Sequence, residues 1–177
     1  MVLLTAKHIQ KRFSEKQLLE DINLSIHLGD KIGLVGVNGS GKSTLLQIIA
    51  GAMEEDAGEI LRSNELRIGY LPQNPDFEPE ATVLEQAMEY VQGAVPEYVV
   101  KTLLTKLRMN MFDRKMKALS GGQRKRVAMA AVMCRDTNLL ILDEPTNHMD
   151  NDIIEWLEEQ LENYKSSVLM ITHDRYF

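Results

Sequence analysis

Residues Gly36 to Ser43, Gly-Val-Asn-Gly-Ser-Gly-Lys-Ser, satisfy every fixed position of the pattern G-x-x-x-x-G-K-[ST]. A segment of this kind grips a polyphosphate with its main chain. Backbone N–H groups and the positive end of a following helix dipole point at the anion. Lys42 is expected to reach the β- and γ-phosphates, and the Ser43 hydroxyl to ligate Mg²⁺. The expected nucleotide-binding residues are therefore Gly36, Val37, Asn38, Gly39, Ser40, Gly41, Lys42, Ser43 and Thr44.

A second group with chemical potential is Asp143-Glu144, which follows the apolar run Leu139–Leu142. Asp143 at a strand end is suited to hold Mg²⁺, directly or through water. Glu144 beside it is suited to polarise an attacking water as general base. The third group is Leu119-Ser120-Gly121-Gly122-Gln123. Glycines at a helix start leave N–H groups bare and let a phosphate come close. Within one subunit Ser120, Gly121, Gly122 and Gln123 would compete with the glycine loop for one nucleotide, so the two make more sense facing each other across a dimer. Arg124, Lys125 and Arg126 follow, and their default reading is a solvated helix face, with nucleotide or partner contacts as the alternative.

The elements that must carry these groups are visible in the periodicity. Residues 3–28 form a small β region, with Ile22, Leu24, Ile26 and Leu28 alternating against polar neighbours. Ile32–Val35 reads as a buried strand before the glycine loop, and Thr44–Ala50 as a helix closed by Gly51. Strands follow near Glu59–Leu61 and Leu66–Leu71. Pro72 to Pro79 forms a linker that can be neither helix nor central strand. Helical spacing returns over Thr82–Gln92, opened by a Thr82/Glu85 capping box, and over Glu97–Leu107. A helix runs from Ser120 to about Cys134, and another, capped by Asp150 or Asn151, buries Ile153, Leu157 and Leu161. Leu139–Leu142 and Val168–Ile171 are uninterrupted apolar runs, as parallel strands covered on both faces require. The fold class is α/β: a mostly parallel core sheet, a small antiparallel β region and an inserted helical piece. Three segments are expected: 1–73 and 119–177 as core, and 74–118 as a shortened helical subdomain.

Composition narrows the partners. At 177 residues and 44% hydrophobic content the chain can bury one ordinary core. A net charge of −6 argues against broad nucleic-acid binding by this segment. The single cysteine, Cys134, permits no disulfide framework within the chain. No stretch approaches the ~20 apolar residues of a membrane span, and the N-terminal apolar run is too short for a secretory signal. A soluble, cytoplasmic protein is expected.

The glycine loop, Leu119–Gln123, Leu139–Glu144 and His173 resemble, in order and approximate spacing, the ATP-binding cassette (ABC) ATPases. The resemblance implies ATP and Mg²⁺ as cofactors and a second ABC cassette, in cis or as a homodimer, as partner. It implies that Gln73 is the glutamine-loop residue that touches Mg²⁺ and water. It also makes Phe13 the aromatic that stacks on adenine, with a core phenylalanine as the alternative, and His173 the switch histidine at the γ-phosphate. The catalytic set is then Glu144, His173 and Gln73, with Ser43, Gln73 and Asp143 around the metal. His8 and His27 lack such context and read as surface residues. Glu144-Pro-Thr-Asn-His-Met-Asp150 resembles the Thr-Asn-His-Leu-Asp signature of the F subfamily, with Met149 in the leucine place, a volume-conserving exchange. Residues 173–177 are similar to that subfamily as well. Its members lack membrane domains, typically carry two cassettes and bind ribosomes as translation or antibiotic-resistance factors. The resemblance therefore implies a ribosomal partner, reached through parts outside this chain. The alternatives are a transporter's nucleotide-binding subunit and a truncated cassette that binds nucleotide without turnover. Two departures stand out. Family cassettes continue beyond the position of His173, and the stretch between Gln73 and Ser120 is shorter than in F-subfamily first cassettes.

Overall fold

A computed structural model describes residues 1–92 and 95–172. Gly93-Ala94 and residues 173–177 lie outside them, so the expectations on the switch histidine His173 and on the 173–177 signature concern undescribed residues.

The chain builds β1 (Val2–Phe13), β2 (Lys16–His27), β3 (Lys31–Leu34), α1 (Lys42–Ala50), β4 (Ala57–Arg62) and β5 (Ile68–Leu71). Then come α2 (Val83–Val91), α3 (Glu97–Lys106), a single 3-10 turn (Met116–Ala118), α4 (Gly121–Cys134), β6 (Leu139–Asp143), α5 (Asn151–Glu162) and β7 (Ser167–Ile171). β2, β1 and β4 form an antiparallel sheet in that order. β3, β7, β6 and β5 form a parallel sheet, so the α/β reading with a mostly parallel core holds.

The parallel sheet divides the core because side chains alternate across it. Leu140 and Leu142 of β6, with Val168 and Met170 of β7, join a cluster made with α2, α3, α4 and α5. Leu139, Ile141, Leu169 and Ile171 face the other way, into a cluster with α1 and the antiparallel sheet. Every residue of β6 and β7 is buried, which is why both read as unbroken apolar runs.

Local signals act where the sequence places them. Thr82 and Glu85 exchange both capping-box hydrogen bonds at the start of α2. Gly51 closes α1 in the left-handed region (φ 79°), its N–H bonded to the carbonyls of Gln47 and Ile48. Two readings are corrected. Val35 lies beyond β3 and is 66% exposed, and Leu28 is exposed in the turn after β2 rather than continuing its apolar alternation. In both cases the strand ends first, releasing the side chain from the sheet. Asp150 caps α5 without a side-chain hydrogen bond.

Candidate functional site

The glycine loop connects the carboxyl end of β3 to α1, with Gly41 as helix N-cap. Gly39 and Gly41 both have positive φ, 76° and 92°. At Gly41 a Cβ would also stand 2.8 Å from Leu19 Cδ2 and 3.2 Å from the Leu18 carbonyl, so glycine is needed there twice over. Lys42 folds back over the loop, its Nζ donating to the carbonyls of Gly36 (2.7 Å) and Val37 (2.9 Å). A closing bond runs from Ser40 N–H to Val37 O at 3.3 Å.

Opposite this loop, β6 delivers Asp143 and Glu144. Asp143 is 1% exposed, and Ser43 Oγ donates to its Oδ1 at 3.2 Å. Burial pushes the Asp143 carboxyl above its ordinary range. The Ser43 hydrogen bond pulls it down, Glu144 pushes it up, and the Lys125 and Lys42 charges pull it down. Glu144 holds a left-handed backbone, φ 48°. Its Oε2 accepts from Gln73 Nε2 at 3.0 Å and from Asn147 Nδ2.

A cleft of about 490 Å³ opens between the two loops, lined by Leu18, Asn38, Gly39, Gly41, Lys42, Ser43, Thr44, Gln73, Glu144 and Asn147. Eight expected residues therefore meet in one cavity, with Asp143 behind Ser43. Gly36 and Val37 contribute carbonyls to Lys42. Phe13 is not among the lining residues. It ends β1 at 46% exposure with Lys11 Nζ 5.8 Å from its ring centre, which excludes the core alternative. Ser120–Gln123 stand apart. Ser120 Oγ accepts from Gln123 N–H and Gln123 Oε1 from Ser120 N–H, a complete capping box. Gly121 and Gly122 line a second cleft of about 270 Å³, which shares Gln73 and Asn147 with the first.

Lys125 overturns the solvated-face reading of 124–126. It is 4% exposed, and its Nζ donates to the main-chain carbonyls of Asp143 (3.0 Å) and Glu144. Burial pulls its ammonium below the usual lysine range, opposed by Asp143 and Glu144. Helical spacing gives no warning of this, because residues 127–132 of α4 are buried without a break and mark no single face. Arg124 instead lies 4.2 Å from the Phe77 ring centre. Asn147 was visible only as part of a signature.

The oxygen donors present suit one metal class. Ser43 Oγ and an Asp143 carboxylate are hard ligands, and no group of three or more His, Cys, Asp or Glu stands ready among the described residues. These donors suit Mg²⁺, which the hydroxyl and the carboxylate would hold.

The family model described as ABC transporter matches residues 19–147, well over half of the chain. The chain belongs to this family of ATP-binding cassettes. An ABC transporter ATP-binding protein of Bacillus subtilis (strain 168), YfmR, is 37% identical over all of this chain and 34% of its own length. The energy-dependent translational throttle protein EttA of Haemophilus influenzae is also 37% identical, over 92% of this chain and 37% of its own length. The chain thus spans about a third of these curated relatives. Among solved structures, a dimeric ATP-binding cassette in a post-hydrolysis state bound to ADP and Pi superposes with TM-score 0.81 at 26% identity. That match covers 97% of this chain and 88% of the other. No helix among the described residues is long and apolar enough to cross a membrane.

Proposed function

We propose that this cassette hydrolyses ATP to ADP and phosphate at a site completed by a second cassette, and that the protein it belongs to acts on the ribosome. The observation that carries the chemistry is the convergence of Lys42, Ser43, Gln73 and Glu144 on one cleft, with Asp143 bonded to Ser43. The main-chain amides of 36–43 and the N-terminus of α1 bind the triphosphate, and Phe13 stacks on the adenine. Ser43, Asp143 and Gln73 would hold Mg²⁺, which would neutralise charge developing on the phosphate oxygens. Glu144 takes the proton of the attacking water, kept in place by the Gln73 and Asn147 amides. His173 contacts the γ-phosphate, and Ser120–Gln123 face the nucleotide of the partner cassette. The dimeric form of the ADP- and Pi-bound neighbour supports a two-cassette arrangement.

The ribosomal part rests on the EttA relatives and on the F-subfamily signature at 145–150. The YfmR alignment runs over 217 positions against 177 residues here, so about 40 positions of that relative have no counterpart, as a shortened helical piece would produce. A cytoplasmic location follows from that role. The second reading, a nucleotide-binding subunit docked on a membrane protein, is favoured by the transporter description of the family model.

Lys42→Ala is expected to weaken Mg-ATP binding at least tenfold in calorimetry, and unchanged affinity would refute the triphosphate site. Co-sedimentation of the parent protein with ribosomes in a non-hydrolysable ATP analogue separates the two roles. Recovery only in detergent-solubilised membrane complexes would favour transport.

A further inference from the structure

The segment from Asp143 to His148 carries the proposed base in a backbone that resists it. Glu144 and His148 both occupy the left-handed region, φ 48° and 62°, without being glycine. Such residues persist only where the surroundings hold them. Helix α4 supplies that hold at both ends. Lys125 donates to the carbonyls of Asp143 and Glu144, and Gly122 lies so close that a Cβ there would stand 3.2 Å from His148 O. An ammonium on a flexible stem carries three donors and can serve two carbonyls at once. The same helix begins at Ser120, five residues or about 7.5 Å from Lys125 along one rigid axis.

We propose that Lys125 is a positioning residue for Glu144, tying the N-terminal end of α4 to the base of the chain's own cleft. This rests on the reading that Glu144 activates water and that Ser120–Gln123 meet a partner's nucleotide. Whatever seats the start of α4 then also seats Glu144. Lys125 also borders the second cleft beside Gly121 and Gly122, but its contribution to Glu144 passes through the main chain of that residue.

The test compares the full chain with Lys125→Met, which keeps the stem and removes the donors, and with Lys125→Arg, which keeps donors and charge. Hydrogen exchange of the 143–148 amides is expected to quicken at least tenfold in Lys125→Met while residues 36–50 exchange as before. Mg-ATP affinity should stay within twofold and kcat fall at least tenfold, with part of both effects recovered in Lys125→Arg. In a Glu144→Gln background Lys125→Met should cost nothing further, because both act through one group. Unchanged exchange at 143–148, a parallel loss of nucleotide affinity, or additive losses with Glu144→Gln would overturn the assignment. If the unmutated chain bound no Mg-ATP, the functional reading would fall instead. The exchange measurement, which needs no nucleotide, would still decide whether Lys125 holds the loop.

Discussion

Two loops leave the carboxyl ends of parallel strands and meet across the same cleft, yet they solve the same conformational problem in opposite ways. The loop after β3 takes its left-handed turns with glycines, Gly39 and Gly41, and works through its main chain. The loop after β6 takes them with Glu144, whose side chain lines the cleft, and with His148, and is held by Lys125, Gln73 and Gly122 from elsewhere in the chain. A backbone that must bind can relax its own strain by dispensing with Cβ. A loop that must present side chains cannot, so its strain is offset by tertiary contacts.

The contrast is open to disruption. The largest effect is expected from Glu144→Gln, which keeps the shape and the amide contacts but removes the base. Phosphate release should fall by about 100-fold or more while Mg-ATP affinity is kept. A normal rate would assign the base elsewhere.

Next is the pair Gly41→Ala and Gly39→Ala. Both place a Cβ at positive φ, costing roughly 1–2 kcal/mol. Only at Gly41 does that Cβ meet neighbours, Leu19 Cδ2 at 2.8 Å and Leu18 Cγ at 3.0 Å, whereas nothing lies within 4 Å of Gly39's. Gly41→Ala should therefore lower the melting temperature clearly more and cut nucleotide affinity more. Equal effects would mean that strain alone dictates the glycines.

Asp143→Asn tests the other loop with the sign of its ionisation. The folded carboxyl lies above its unfolded value of 3.8, chiefly because it is buried. Its contribution to stability is present below that value and lost as pH rises through the folded one. Without Mg²⁺ at pH 7, Asp143→Asn should melt no lower than the parent, while the Mg-dependent part of ATP affinity disappears. A marked drop in melting temperature would show that the charge on Lys125 needs this carboxylate.

The smallest effect separates two matching caps. Thr82→Ala and Ser120→Ala each remove one capping box and should each lower stability by about 1 kcal/mol in denaturant unfolding. Only Ser120→Ala should also slow turnover. An equal effect of Thr82→Ala on turnover would make the loss one of stability alone.

The glycine loop, the Thr82/Glu85 capping box and the buried strands β6 and β7 were legible in the sequence because each rests on residues within a few positions of one another. Lys125 was not. Between two arginines it resembles solvated charge, and only the fold brings its ammonium to the carbonyls of Asp143 and Glu144. Asn147 and Gln73 were visible as residues, but their meeting on one Glu144 oxygen was not, since Gln73 lies 71 positions away.

The sequence by itself therefore determined the conformation of the glycine loop, because φ preference belongs to the residues that carry it. It also determined the parallel core, through apolar runs long enough to need cover on both faces. Only the tertiary structure decided how Glu144 is held and joined to α4, and that Ser43 and Asp143, 100 residues apart, share a hydrogen bond. Desolvation and hydrogen-bond geometry depend on what packs alongside, and no local pattern records that.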